Sequence, residues 1–148
     1  MKWEYQTAVE MRFGDIDMNG HANHVAYLTW AEVARARHLE SMGAPPDKLV
    51  EHGMAVVVLS LTVDYHHEIQ FRPTVDCLTA YTFGAGKSFT GEASIVQDGK
   101  RVCSIKTVLG VLDTQGRRLR TDPRSQLESV MVAAGNGAAH HTYAEEAK

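Results

Sequence analysis

Residues 13–32 read FGDIDMNGHANHVAYLTWAE and gather the side chains of this sequence most suited to chemistry on a carbonyl group. Asp15 and Asp17 supply carboxylates, and Asn19, His21, Asn23 and His24 supply short polar groups around Gly20. An amphipathic helix pattern begins directly afterwards. The first N–H groups of a helix lack intrahelical partners and sit at the positive end of its dipole, so they can hold a developing oxyanion. A carboxylate just upstream can attack the carbonyl or activate a water that does so. Asp17 is the carboxylate best placed for that role. Asn19, His21, Asn23 and His24 can cap the helix, orient the water or donate to the carbonyl. Spacing alone is equally served by a plain loop, in which both aspartates sit in turns, Asn23 caps the helix and Gly20 permits a tight bend.

Two metal readings compete for the same residues. From Asp15, the run D-I-D-M-N-G matches the opening of a calcium-binding EF-hand loop. The twelfth position of that loop, which must be a chelating Glu, is Ala26. A zinc site from His21 and His24 lacks a third ligand at suitable spacing. No metal and no cofactor is therefore expected.

The segment resembles the hotdog-fold thioesterases of the 4-hydroxybenzoyl-CoA thioesterase type. Their signature is a strand ending in F-G-D-x-D, then a glycine, then a Tyr-containing helix, and Phe13, Gly14, Asp15, Asp17, Gly20, Tyr27 and Trp30 fall in register with it. The resemblance implies that Asp17 is the catalytic carboxylate and that the backbone N–H near His24 polarises a thioester carbonyl. The run Asp17, Asn19, His21, Asn23 is also similar to the D-x-N-x-H-x-N run of acyl-ACP thioesterases. Asp64-Tyr65-His66-His67-Glu68 resembles the strand that gives those enzymes a catalytic Glu, which makes Glu68 a further candidate.

The elements that must position these residues follow from periodicity. Tyr5 to Phe13 alternates as a first strand. Asn23 to about Met42 carries Val25, Leu28, Ala31, Ala34 and Leu39 at helical spacing, and Gly43 with Pro45-Pro46 ends it. A short helical turn before Gly53 precedes a long strand region, Ala55 to Phe71, interrupted at His66-His67-Glu68. Val75 to Phe83, Phe89 to Gln97 and Arg101 to Leu112 read as three more strands, joined by turn sequences such as Asp98-Gly99-Lys100. Arg124 to Ala133 reads as a final short helix. A strand, one long helix and then consecutive antiparallel strands make an α+β chain, a curved antiparallel sheet wrapped around one central helix, which is the hotdog fold that the resemblance implies. Residues 1–134 form the single domain, and 135–148 are expected to be a mobile tail whose His140-His141 pair is solvated.

Composition narrows the function. A chain of 148 residues is one domain, and its formal charge of -3 gives no reason to expect nucleic acid as a partner. No apolar run approaches the roughly twenty residues that span a bilayer, and the N-terminus lacks a signal-peptide core, so no membrane partner and a cytoplasmic location are expected. Cys77 and Cys103, the two cysteines, fall in strand patterns and read as reduced core thiols.

Further residues have two readings each. Glu32 lies two turns into the helix, where it faces the cleft and orders a water, or else pairs with Arg35 at i+3. Tyr27 and Trp30 read as core aromatics or substrate contacts. His66 and His67 point to opposite faces of a strand, so at most one of them can reach the site. Lys87 and Ser88 follow Gly84-Ala85-Gly86, and in the resembled family this region meets CoA phosphates, with Arg72 as another basic contact. Glycine and alanine stand here where CoA-specific members carry more basic residues, which leaves acyl-CoA and acyl carrier protein both open as substrate carriers. The reaction expected is hydrolysis of an aliphatic or aromatic acyl thioester. A hotdog dehydratase using His21 with Glu68 or Asp17, and a non-catalytic acyl-binding module, are the alternatives. An unpaired edge strand, placed at Arg101 to Leu112, predicts a homodimer or a dimer of dimers.

Overall fold

The computed structural model describes residues 2–133. Strand β1 (Lys2–Glu10) leads through a 3-10 turn (Phe13–Asp15) to helix α1 (Ala26–Ser41) and the short helix α2 (Pro46–Glu51). Strands β2 (Met54–Tyr65), β3 (Thr74–Phe83), β4 (Ser88–Gln97) and β5 (Lys100–Asp113) follow, then the two-residue β6 (Arg118–Leu119) and helix α3 (Pro123–Ala133). The expected tail and its His140-His141 pair lie outside the described residues.

All pairings are antiparallel, in the order β1-β3-β4-β5-β2, with β6 on β5. Period-two alternation decides which face meets the helix: in β3, Val75, Cys77, Thr79 and Tyr81 are buried, while Asp76, Leu78 and Thr82 point away. The inner face of α1 is narrow, with Ala26, Ala31 and Ala34 flanking Trp30, so the helix lies close in the curl of the sheet. Gly91 on β4 belongs to this close packing, since a Cβ there would sit 2.9 Å from Leu109 Cδ1.

One core cluster gathers at the start of α1, around Trp30, Ile69, Cys77 and Ile95. A second gathers at its end, around Leu39, Met42, Tyr81 and Leu109. Gly43, at φ 87°, turns the chain out of α1, and the Ala44 N–H closes back on Leu39 O at 2.9 Å.

The edge strand expected at Arg101 to Leu112 is corrected. β5 lies inside the sheet, between β4 and β2, and the edges are β1 and β2. β5 reads like an edge because it follows a hairpin, but its free side pairs with the earlier strand β2. β2 is the conspicuous edge: Val58, Leu59, Leu61 and Tyr65 are exposed, and a bulge between Val58 and Ser60 interrupts its ladder.

Candidate active site

The segment between β1 and α1 folds back as a tight loop. The Asp17 N–H donates to His21 O at 2.9 Å and the Gly20 N–H to Asp17 O at 3.1 Å, while Ile16 and Ala22 form a bridge. Gly20 takes φ 79°, a conformation open to glycine at little cost. The Asn19 N–H donates to Asp17 Oδ1 at 2.9 Å, the one hydrogen bond to that carboxylate among the described residues. Asp17 is thus oriented through its own loop and left open to further donors.

The helix start is more selective than the sequence pattern suggests. Expected at Asn23, α1 begins at Ala26, because Asn23 uses its side chain as a cap. Asn23 Oδ1 accepts the N–H groups of Val25 at 3.1 Å and Ala26 at 2.9 Å. The Asn23 N–H itself donates to Asp15 O at 2.8 Å. Of the four consecutive N–H groups from Asn23 to Ala26, that of His24 alone has no acceptor among the described residues. The unclaimed N–H groups at the helix start are therefore those of His24 and Tyr27 among the described residues, rather than a whole helix turn.

Asp15 anchors this arrangement from below. Its carboxylate is 2 % exposed and accepts the Arg12 N–H at 2.8 Å and the Trp30 indole N–H at 3.1 Å, with the Arg12 guanidinium at 3.2 Å. Burial works to raise its pKa, but the Arg12 N–H, the indole and the guanidinium together hold it below the usual carboxylate range.

Asp17, His21, His24, Tyr27, Tyr65, His66, His67 and Glu68 line one open cleft of about 630 Å³. His21 Nε2 lies 3.2 Å from Glu68 Oε2. The Tyr65 hydroxyl donates to His24 O at 2.7 Å, and its ring meets Tyr27 edge to face with centroids 5.1 Å apart. Tyr27 is only 4 % exposed, and burial, followed by Cys103, Tyr65, Glu68 and Asp17, pushes its pKa up to about 12, so its phenol keeps its proton. Among the described residues, no group of three or more His, Cys, Asp or Glu is arranged to hold a metal. Cys77 and Cys103 are free, buried thiols whose pKa values burial pushes up to about 12 and about 11, which disqualifies both as nucleophiles near neutral pH.

Several sequence expectations change here. His66 and His67 do not take opposite faces, because β2 stops at Tyr65 and both of their N–H groups turn onto Val102 O. Both histidines reach the cleft, and Glu68 sits on the loop beyond rather than on a strand. Asn19 acts on Asp17 through its backbone and does not line the cleft. Glu32 does not line the cleft of Asp17: it is an exposed helix carboxylate at a second groove of about 190 Å³ with Leu39, Leu49 and Val56, and the expected ion pair with Arg35 is not formed among the described residues. Trp30 is core, with its polar atom spent on Asp15.

Arg72 lies in an open depression beside the cleft with His67, Glu68 and Lys100, and pairs with Asp98 at 3.6 Å. Lys87 and Ser88 are remote within one protomer: Ser88 is level with Gly110 and Val57, whereas Tyr65 is level with Cys103. Seven residues of β5 separate those levels, roughly 23 Å. Tyr65 and the Asp15 anchor are contributors that spacing did not reveal. Tyr65 stood inside the quoted D-Y-H-H-E run, but nothing in that run marks its hydroxyl.

A curled antiparallel sheet around one helix, with a polar cleft at the helix start, is the hotdog architecture, and comparison with solved structures agrees. DHNA-CoA thioesterase from Staphylococcus aureus superposes with a TM-score of 0.75 at 22 % identity, over 90 % of this chain and 93 % of that one. Residues 11–133 match the thioesterase-like superfamily, and the chain belongs to that family. Among curated proteins, it is 36 % identical to a putative esterase of Synechocystis sp. over 49 % of its own length and 43 % of the relative's. It is 38 % identical to the chloroplastic oleoyl-acyl carrier protein thioesterase of Coriandrum sativum over 47 % of its length. The chain thus spans less than half of these curated relatives, 15 % in the second case.

Proposed function

We propose that this protein hydrolyses acyl thioesters, with acyl-CoA as the substrate and acyl carrier protein as the alternative carrier. The observation that carries the reading is the pairing, on one cleft, of the open carboxylate of Asp17 with the N–H of His24, which has no acceptor among the described residues. The N–H accepts the thioester oxygen as it gains charge. Asp17 either attacks the carbonyl carbon, expelling the thiolate and leaving an acyl-aspartyl anhydride for water to open, or takes a proton from a water that attacks directly. The leaving thiol, with a pKa of about 8.5 on the cysteine scale, departs as thiolate without a strong acid catalyst. His21, braced by Glu68 at 3.2 Å, and Asn19, through its hold on Asp17, orient the reacting groups. Tyr27 walls the cleft.

The acyl group is proposed to enter an apolar groove between α1, α2 and β2, walled by Leu39, Leu49, Ala55 and Val56 with Glu32 at its side. Within one protomer that groove lies at the Val57 end of β2, as remote from Asp17 as Lys87, so it serves the cleft across a pairing of two protomers. Of the apolar run Met54 to Leu61, only Ala55 and Val56 line this groove, since Met54 is in the core and Val58 and Leu61 lie exposed on the edge.

The protein is proposed to act as a homodimer or dimer of dimers in the cytoplasm. Antiparallel pairing of two β2 edges would cover the exposed apolar side chains and set Tyr65 of one protomer opposite the Met54 end of the other. That pairing carries the partner's Lys87 and Ser88 to the Asp17 end, where they and Arg72 can meet carrier phosphates, a role that a single protomer denies them. The His21–Glu68 contact also suits a dehydratase, which pairs a His with an acid. Thiol release from a panel of acyl-CoAs, read with a colorimetric thiol reagent, tests the proposal. Turnover of at least one member is expected. Hydration of an enoyl-CoA without thiol release would favour the dehydratase, and inertness toward every thioester would favour a binding module.

A further inference from the structure

The peptide that follows the free His24 N–H is held at both ends. Its carbonyl, His24 O, accepts the Tyr65 hydroxyl at 2.7 Å, and its N–H, on Val25, donates to Asn23 Oδ1 at 3.1 Å. Asn23 is itself fixed to the buried Asp15 segment through Asp15 O, so this grip comes from the rigid side of the loop. The other grip comes across 41 residues of chain, from the last residue of β2.

Within one protomer Tyr65 is 48 % exposed, so water can reach the His24 carbonyl that its hydroxyl occupies. Placement of the hydroxyl matters for the cleft that both residues line. A free His24 carbonyl beside the His24 N–H would present negative potential where an oxyanion grows, and rotation of the held peptide would turn that carbonyl toward it. The edge-to-face contact with Tyr27 holds the Tyr65 ring in place, and burial with the nearby Cys103 raises the pKa of its phenol, which remains a donor.

We propose that Tyr65 is a positioning residue for hydrolysis: its hydroxyl occupies and orients the His24 carbonyl, so that the His24 N–H, and not that carbonyl, faces the thioester oxygen. The role rests on the thioester-hydrolase reading of the cleft. It places the second anchor of the oxyanion donor on β2, outside the loop that carries Asp17.

Tyr65→Phe removes only the hydroxyl and tests this directly. The variant should keep the melting temperature of the wild type and lower kcat about tenfold, less than the hundredfold or more that follows direct loss of an oxyanion donor. KM, and the affinity for an unreactive S-alkyl thioether of CoA, should stay within about twofold, because a transition-state effect leaves ground-state binding intact. In the free protein, the backbone amide resonances of His24 and Val25 should shift, whatever the substrate. An unchanged kcat, or a loss confined to KM, would overturn the proposal. Amide resonances that do not move, beside normal wild-type turnover, would overturn the clamp alone. A wild type that releases no thiol would overturn the hydrolase reading, and the catalytic role of Tyr65 with it.

Discussion

The indole N–H of Trp30 donates to the buried carboxylate of Asp15 at 3.1 Å, tying the start of α1 to the loop that carries Asp17. A tryptophan in the core and an aspartate two residues from the proposed nucleophile thereby become one structural unit. Trp30→Phe keeps most of the bulk and deletes the donor, and should cost about 1–3 kcal/mol of stability at neutral pH. Because the folded-state pKa of Asp15 lies below its unfolded value, its stabilisation is present above the unfolded pKa and is lost as pH falls through the folded one. The wild-type advantage over the variant should therefore shrink from pH 7 toward pH 3, as urea unfolding at the two pH values would reveal. An advantage of constant size would mean that the indole does not serve the carboxylate.

Assembly follows from the β2 edge. With Val58, Leu59 and Leu61 exposed along an unpaired ladder, light scattering should return at least twice the chain mass of 16.3 kDa at micromolar concentration. Leu61→Lys, a charge placed on that edge, should shift the equilibrium toward the monomer and lower activity together with mass. A wild type of monomeric mass would rule out pairing through β2.

Substrate choice should track the groove along α1. Each buried CH₂ adds about 0.8 kcal/mol, so kcat/KM should rise with acyl length until the groove is full and then fall. Malonyl or succinyl thioesters emerging as the best substrates would contradict an apolar acyl site. Comparing each acyl-CoA with its acyl-pantetheine tests the carrier: a drop of tenfold or more on losing the nucleotide supports grip by Lys87 and Arg72, and near equality moves the carrier protein ahead.

What the sequence disclosed was mainly local. The loop at Gly20, the stop at Gly43 with Pro45-Pro46 and the alternation of β3 and β4 depend on neighbours along the chain, and they appear where turn chemistry and period place them. The order of strands does not: the free side of β5 pairs with the earlier strand β2, so the identity of the edge depends on long-range pairing that no local pattern encodes. The same division runs through the site. Asp17, His21 and His24 come together within one loop, and Glu68 lines the same cleft from the loop beyond β2. Glu32 faces a different groove, since its place on α1 is read against α2 and β2, and Lys87 is remote because a hairpin tip lies at one end of its sheet. Tyr65 was invisible because its partner is a backbone carbonyl, which every residue possesses.

The carboxylate of Asp17 bears most of the proposed chemistry, and kcat of Asp17→Asn on the best acyl-CoA is the most direct test. The substitution preserves the shape of an exposed loop residue and its acceptor for the Asn19 N–H, so the fold should hold, while kcat falls by about two to four orders of magnitude. Glu68→Gln, measured beside it, should lose less, since that carboxylate acts through His21. Turnover of Asp17→Asn near the wild-type rate, or a greater loss in Glu68→Gln, would contradict the assignment of Asp17 as the reacting carboxylate.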